Sequence, residues 1–478
     1  MTSILPSTQA QFEITPAHRA EMELAARYAC EGPRYTSYPT APQFRQDFPL
    51  DQYLAWQQRD GDHKRAPLSL YLHLPFCKDI CYYCACNKVV TRQKGVARQY
   101  LDRLHKEIEQ QSQLVGKQRP ITQMHWGGGT PTYLDDAEIT ELMHMLASHF
   151  RLLDREYREY SIEIDPRTVE AATIALLKGV GFNRISLGVQ DFDPVVQRSV
   201  NRIQPYEMVA DLVANIRSHH FRSLSFDLIY GLPHQSHHTM AETLRKVNSL
   251  RPDRIACYNY AHLPQRFSSQ RAIDRLTLPA PEEKLLMQQM ISHTLQDAGY
   301  LHIGMDHYVL PDDELALALA EGRLQRNFQG YSLHMADDLL GLGVSSISQI
   351  GDFYLQNERD VESYYRHIDS GKLPFTRGCM VTSEDKLRRH IIMSLISDLR
   401  LDIGDCNRQF GIDFSAKFPE ELAALEPMAR DGLLEINERE ITVTRRGRPF
   451  LRNICMPFDA YLNAHRGDQP PPRFSATI

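Results

Sequence analysis

Between residues 68 and 260 the chain repeats one unit, a short apolar run followed by a longer stretch of helical periodicity. The runs are LSLYLHL (68–74), TQMHW (122–126), YSIEI (160–164), RISLGV (184–189), LSFDLIYG (224–231) and RIACYNY (254–260). Each has the length and composition of a strand buried on both faces or nearly so. Between them lie VARQYLDRLHKEIEQQSQLV (96–115), DDAEITELMHMLASHF (135–150), TVEAATIALLKGVG (168–181), PYEMVADLVANIRSHH (205–220) and TMAETLRKVNSL (239–250). Asp135 or Asp136 suits the N-cap of the second helix. Six strands alternating with helices imply a parallel sheet with helices outside it. The pattern alone allows an incomplete barrel or a doubly wound sheet.

In either fold, chemistry gathers at the C-terminal ends of the strands. The unusual residues of this chain fall there. CKDICYYCAC (77–86) follows strand one and GGGTP (127–131) follows strand two. Glu163 and Asp165 end strand three, Gln190 follows strand four, Asp227 lies in strand five, and Ala261 and His262 follow strand six.

Outside this region the pattern changes. Residues 1–49 form an arm of little periodicity that contains GPRYTSYPTAP (32–42), an irregular run of turn formers and aromatics. After about residue 310 the alternation fades, and NFQGYS (327–332) and LLGLGVSSISQIG (339–351) read as loops. From 381 a different unit begins, with a helix at 383–400, a hairpin at 433–444 and a closing helix around 447–462, a winged-helix-like set. The expected division is therefore an arm (1–49), a catalytic domain (50–380) and a mostly helical C-terminal domain (381–478). The tail carries QPPPR at 469–473.

Composition excludes several classes. The formal charge of −6 argues against a dedicated nucleic-acid binder, and RRGR (445–448) reads as a solvated basic face. No window approaches about 18 uninterrupted apolar residues, so no membrane span is expected. The N-terminal segment has no basic stretch followed by an apolar run, so no signal peptide is expected and the location is read as cytoplasmic. Thiols stay free in that compartment, which directs clustered cysteines toward metal or redox chemistry.

Four of the nine cysteines lie between 77 and 86, the first three spaced C-x3-C-x2-C. A tetrahedral zinc site has enough thiols, but Cys84-x-Cys86 suits a zinc knuckle poorly, and zinc leaves GGGTP and the strand-end carboxylates unexplained. An iron–sulfur cluster is the favoured reading, with three thiolates from one loop and one iron left open.

That spacing resembles the signature of the radical S-adenosylmethionine (SAM) superfamily. The order of further segments (GPRYTSYPTAP, SLYLHLPFCKDICYYCACNKVVTRQ, HWGGGTPTYL, IEIDPR, FNRISLGVQDF, VQRSVNR, DLIYGLP, NYAHLP, GMDH, RNFQGY, GVSSIS and RNICMPFD) is similar to the oxygen-independent coproporphyrinogen III oxidases, from about residue 27 to the end. The resemblance implies a partial (β/α)6 radical SAM barrel with an irregular N-terminal arm and a small helical C-terminal domain. It implies an oxidoreductase of haem (porphyrin) biosynthesis that turns two propionates of coproporphyrinogen III into vinyls, giving protoporphyrinogen IX. SAM bound to the open iron of a [4Fe-4S] cluster would be cleaved by one electron to methionine and a 5′-deoxyadenosyl radical.

Carried over by motif, Cys77, Cys81 and Cys84 are the metal ligands, and Cys86 is not. Two SAM molecules are expected. The first is assigned Tyr71, Gly128, Glu163 and Ile347; the second is assigned Tyr83, Gly129, Thr130, Gln190, Arg202, Asp227 and Ala261. Arg34 is a candidate for gripping a substrate propionate. Expected partners are the substrate and an electron-donating reductase, flavodoxin-like or ferredoxin-like, with the chain itself a monomer. Haem carriers or chaperones of the same superfamily are the alternative, but they lack the fourth cysteine and the GPRYTSYPTA arm, both present here.

Overall fold

The structure, a computed structural model, describes residues 15–59, 61–155, 158–333, 338–464, 474–475 and 477. The first 14 residues of the arm and the QPPPR tail lie outside the described residues.

Six strands form where the apolar runs place them: β1 Leu68–Leu74, β2 Pro120–Gly128, β3 Glu159–Ile164, β4 Arg184–Gln190, β5 Ser223–Tyr230 and β6 Arg254–Asn259. All neighbouring pairs from β1 to β6 are parallel. The crossovers are helices α1 Lys94–Val115, α2 Asp136–His149, α3 Ala171–Gly179, α4 Tyr206–Ser218 and α5 His237–Leu250. Asp135 is the N-cap of α2. Its carboxylate accepts from Glu138 N–H at 2.9 Å, and the Glu138 carboxylate accepts from Asp135 N–H at 3.0 Å.

The two faces of the strands differ. Leu68, Leu70, Leu72 and Leu74 of β1 are all at most 1 % exposed. With Met124, Trp126, Ile162, Leu187, Phe226 and Ile255 they form the layer against the helices, which contribute Leu104, Ile139, Leu177, Ile216 and Leu244. The opposite face is polar: Gln123 and His125, Ser161 and Glu163, Ser186, and Ser225 and Asp227 all turn toward a central cavity. The strands are buried on both sides, but the inner side is a polar lumen rather than a second apolar layer.

The sheet continues beyond both flanks. Beside β6 lie β7 Leu301–Gly304 and β8 His307–Val309, antiparallel. Beyond β1, past the hairpin β9 Gln325–Asn327 and β10 Gly330–Ser332, comes β11 Asp338–Leu342, parallel to β1. The antiparallel strands β12 Ile347–Ile350, β13 Phe353–Asn357 and β14 Phe375–Met380 follow it. The order β7-β8-β6-β5-β4-β3-β2-β1-β11-β12-β13-β14 does not close, so the barrel is partial.

The stretches 327–332 and 339–351, expected as loops, are thus largely strands. Glycine misled there. A Cβ on Gly341 would lie 2.6 Å from Ile347 O, so this glycine serves the close approach of β11 and β12 and does not end a strand.

The C-terminal unit holds α6 Ser383–Ser397 and a three-stranded sheet, to which Arg400–Asp402 adds a strand that the sequence did not reveal. The closing helix is broken: Leu451–Cys455 is flanked by short turns at Arg448–Phe450 and Met456–Phe458, where Pro449 and Pro457 supply no N–H. The arm contains a helix, Pro16–Tyr28, not anticipated from its weak periodicity, before it becomes irregular. It is tied to the C-terminal unit. Arg452 Nε donates to Pro33 O at 3.0 Å, Tyr35 OH donates to Asp459 at 3.1 Å, and Leu24, Tyr35 and Tyr38 join the core of that unit.

Candidate active site

The cysteine loop leaves β1 and returns to the same place. Phe76 and Cys77 pair in parallel with Val89 and Val90. Val89 N–H donates to Pro75 O at 2.7 Å, and Thr91 N–H donates to Cys77 O at 3.0 Å. Within the loop, Cys84 N–H donates to Cys81 O at 3.1 Å, a turn that brings two thiols close together. Asn201 Nδ2 donates to Ile80 O at 2.8 Å and Tyr82 N–H to Val200 O at 3.0 Å, docking the loop on the segment after β4.

The GGG run ending β2 lies against this loop at van der Waals contact. A Cβ on Gly129 would lie 2.5 Å from Pro75 O, and one on Gly128 would lie 2.9 Å from the His73 ring. Gly128 also has a φ of +114°, which only glycine adopts without strain. Gly129 N–H donates to Leu74 O at 2.9 Å, and Thr130 Oγ1 is 3.5 Å from Cys77 Sγ.

Two arginines meet Cys81 and Asp165. Arg202 Nη1 is 3.0 Å from Asp165 Oδ2 and 3.6 Å from Cys81 Sγ. Arg167 Nη2 is 2.7 Å from Asp165 Oδ2 and 3.7 Å from the same sulfur. Burial would raise the Asp165 carboxyl, but Arg202 and Arg167 outweigh it and hold the group below the usual carboxylate range. Glu163 lies 3.1 Å from His125 Nε2, whose Nδ1 is 2.6 Å from Ser161 Oγ. Asp227 accepts from Ser186 Oγ at 2.9 Å; burial, then the charge of Glu163, pushes its carboxyl up to about 6.

These groups surround two adjoining cavities. One, of about 160 Å³, is lined by the four clustered cysteines, Gly128, Gly129, Thr130 and Arg202. The other, of about 380 Å³, is the polar lumen. Tyr83, Glu163, Gln190 and Asp227 line both. Four candidate residues lie off these cavities. Tyr71 stacks on His125, with ring centroids 6.0 Å apart. Ala261 is linked to the cysteine loop through Gln270, whose Nε2 donates to Ala261 O at 3.2 Å and to Tyr83 O at 3.0 Å. Ile347 packs against Phe44 and Tyr354, beside Gly341, the register partner of Tyr71. Arg34 lies beside the lumen-lining Tyr258, 2.8 Å from Asp306 Oδ2 and 5.6 Å from the Tyr258 ring centroid.

Sequence reasoning passed over His125 and Arg167. Both flank singled-out motifs, in HWGGG and IEIDPR, and their signal was a charged or polar side chain at the inward end of a parallel strand.

The residues fit an iron–sulfur cluster. Among the described residues no three Cys, His, Asp or Glu side chains gather tightly enough to share one metal ion. A cube of iron and sulfide instead takes one thiolate per iron. Thiolate is the binding form; the Cys84 thiol is brought down to about 6, first by a hydrogen bond from Cys86, whereas burial pushes the Cys77 thiol up to about 11. Gly128 and Gly129 share the lining of one cavity with the four cysteines, and the missing Cβ atoms let the end of β2 close on Pro75 and His73.

Comparison with known proteins agrees. A Radical SAM superfamily model matches residues 71–247, and a HemN C-terminal domain model matches 381–450. The oxygen-independent coproporphyrinogen III oxidase of Pseudomonas aeruginosa is 49 % identical over 445 residues, covering 93 % of this chain and 96 % of that protein. The protein of the same name from Escherichia coli is 47 % identical, covering 92 % and 95 %. The solved structure of coproporphyrinogen III oxidase (HemN) from Escherichia coli, described as a radical SAM enzyme, superposes with a TM-score of 0.86 over 90 % of this chain and 98 % of that one. The chain belongs to the oxygen-independent coproporphyrinogen III oxidases of the radical SAM superfamily.

Proposed function

We propose that this chain carries out the oxidative decarboxylation of coproporphyrinogen III to protoporphyrinogen IX without oxygen, in haem biosynthesis. The observation that carries the reading is near full-length similarity to coproporphyrinogen III oxidases in a chain whose cysteine pocket opens on a polar lumen. Each reacting propionate loses one hydrogen atom from its β-carbon, one CO2 and one electron, and becomes a vinyl group. No side chain has to act as nucleophile.

Cys77, Cys81 and Cys84 would hold three irons of a [4Fe-4S] cluster, leaving the fourth for SAM. When bound, cluster and SAM supply the carbon-centred radical that takes the hydrogen. The chain's own residues position and exclude. Gly128 and Gly129 line the cysteine cavity with backbone that a ligand could approach, and His125 orients Glu163 on the rim. Arg202 and Arg167 set positive charge beside Cys81. A SAM on the open iron would meet Glu163 and Gly128, with Tyr71 and Ile347 behind. A second SAM would meet Tyr83, Gly129, Thr130, Gln190, Arg202, Asp227 and Ala261. A flavodoxin-like or ferredoxin-like reductase would supply the electron to a cytoplasmic monomer. Residues 50–380 would carry the chemistry, and the arm of residues 1–49 would cover the substrate. No helix among the described residues is long and apolar enough to cross a membrane.

The test is an anaerobic assay of the reconstituted protein with SAM, reductant and coproporphyrinogen III, paired with equilibrium dialysis of SAM. The expected results are protoporphyrinogen and a bound ratio near two SAM per cluster. Absence of product with an intact cluster would refute the activity, and a ratio near one would refute the second SAM site.

A further inference from the structure

Outside the lumen, a second cavity of about 520 Å³ lies where three parts of the chain meet. Its walls come from Thr36 and Ser37 of the arm, from the β9 strand of the β9–β10 hairpin, and from α6 of the C-terminal unit. Among its lining side chains are two guanidinium groups with buried nitrogens that lack a hydrogen-bond partner among the described residues: Nε and Nη1 of Arg326, and Nη1 of Arg389. A buried N–H without an acceptor is costly, and on a charged group more so. The other cation, Lys386, is occupied by Asp352 at 2.7 Å. The one carboxylate in the wall, Asp398, is raised to about 6 by burial, with no contribution from either arginine.

Arg326 also joins this cavity to the lumen. Its guanidinium lies 4.8 Å from the centroid of Tyr331, a residue of the lumen wall. His307, another lumen residue, is held well below its ordinary pKa, first by burial and next by Arg326 and Arg34. The hairpin therefore presents its β10 side to the lumen and its β9 side to the second cavity. Its tip is fixed to the barrel by Gln329 Nε2, 3.2 Å from Leu70 O.

We propose that this cavity is a carboxylate pocket in which Arg326 and Arg389 hold the two propionates of the substrate that do not react. The inference rests on the substrate proposed above. That substrate carries four propionates, of which only two are consumed, so the other pair is present from first binding to product release. A guanidinium presents a planar fork of donors that matches a carboxylate. The two arginines come from the barrel flank and the C-terminal unit, so the pocket requires that unit to be docked.

The test uses the full-length cluster-loaded protein under anaerobic conditions and two stable porphyrins. Coproporphyrin III has all four propionates. Mesoporphyrin keeps only the two non-reacting propionates and has ethyl groups in place of the reacting pair. Arg326→Met and Arg389→Met should each weaken the binding of both porphyrins by about ten- to a hundredfold, the cost of a lost charged hydrogen bond. Arg389→Lys keeps the charge but not the planar fork, so it should recover part of the loss and not all of it, which a purely structural role would not predict. Iron content and substrate-free SAM cleavage should remain at wild-type levels. Coproporphyrin binding weakened while mesoporphyrin binding is untouched would place the reacting propionates on these arginines and overturn the proposal. Unchanged binding of both would also overturn it. So would inorganic phosphate that stabilises the wild type against heat without displacing porphyrin, since the pocket would then take a free anion. If variants convert coproporphyrinogen with wild-type KM, only the pocket fails. A wild-type chain that neither binds nor converts it refutes the activity as well.

Discussion

Replacing Gly129 by alanine tests how tightly the β2 exit is locked to the cysteine loop. The new Cβ would lie 2.5 Å from Pro75 O, 2.6 Å from Pro75 C and 2.8 Å from Phe76 O, all backbone atoms that cannot swing aside. Ordinary contact begins near 3.4 Å, so the two segments must separate by about 0.9 Å. That movement stretches Gly129 N–H to Leu74 O, now 2.9 Å, and Thr130 N–H to Phe76 O, now 2.8 Å, beyond useful hydrogen-bond length. Two such bonds are worth about 1 kcal/mol each, and overpacking adds about 1–3 kcal/mol. The sum is about 3–5 kcal/mol. At about 2.1 cal/mol/K of unfolding entropy per residue, a chain of 478 residues should lose about 3–5 °C of Tm.

The strain can instead be relieved locally, because Thr130 faces Cys77 Sγ at 3.5 Å. The protein would then keep its Tm and lose iron and SAM binding. The assay is therefore paired: anaerobic thermal unfolding, and iron, sulfide and bound SAM per chain. Gly179→Ala is the control, since nothing lies within 4 Å of its Cβ, and it should be neutral or stabilising by up to about 1 kcal/mol. A Gly129→Ala protein with wild-type Tm, iron and SAM binding would refute the reasoning.

Two further outcomes are expected. Cys81→Ala should lose the cluster, while Cys86→Ala should keep about four irons and four sulfides per chain; equal loss in both would overturn the three-ligand assignment. Asp227, raised to about 6 from 3.8, is bound to its proton more tightly in the folded than in the unfolded chain. Its contribution is full below about pH 3.8 and is lost as pH rises through 6, a fall of up to about 3 kcal/mol. Asp227→Asn should remove that fall, so urea unfolding of both proteins at pH 4.5, 5.5 and 7 should show the variant gaining on the wild type as pH rises.

The pattern of what was legible follows from the range over which each signal acts. The six strands and the Asp135 cap depend on residues a few positions apart, so composition and periodicity place them well. The site residues come together because parallel strands put all their C-terminal ends at one edge. Locating GGGTP, Glu163, Gln190 and Asp227 on strand ends was therefore enough to gather them. Their polar neighbours on the lumen side, such as His125 and Ser161, follow from the two-residue period once a strand is known.

Side-chain partners are another matter. Arg202 and Asp165 are 37 positions apart and meet because the segments after β3 and β4 emerge side by side. Residue type alone would have allowed Arg202 any of the chain's 60 Asp and Glu side chains. The glycines of β11 carried opposite meanings in sequence and in space, since a turn and a close approach both demand a missing Cβ. Arg326 and Arg389 were the least legible of all. They belong to different units of the chain, and although Arg326 opens the RNFQGY segment, nothing in either stretch pairs it with Arg389. Only the docking of those units creates the shared cavity, in which both arginines have buried nitrogens short of acceptors. That shortage is a property of the assembled fold, to which no spacing of residue types corresponds.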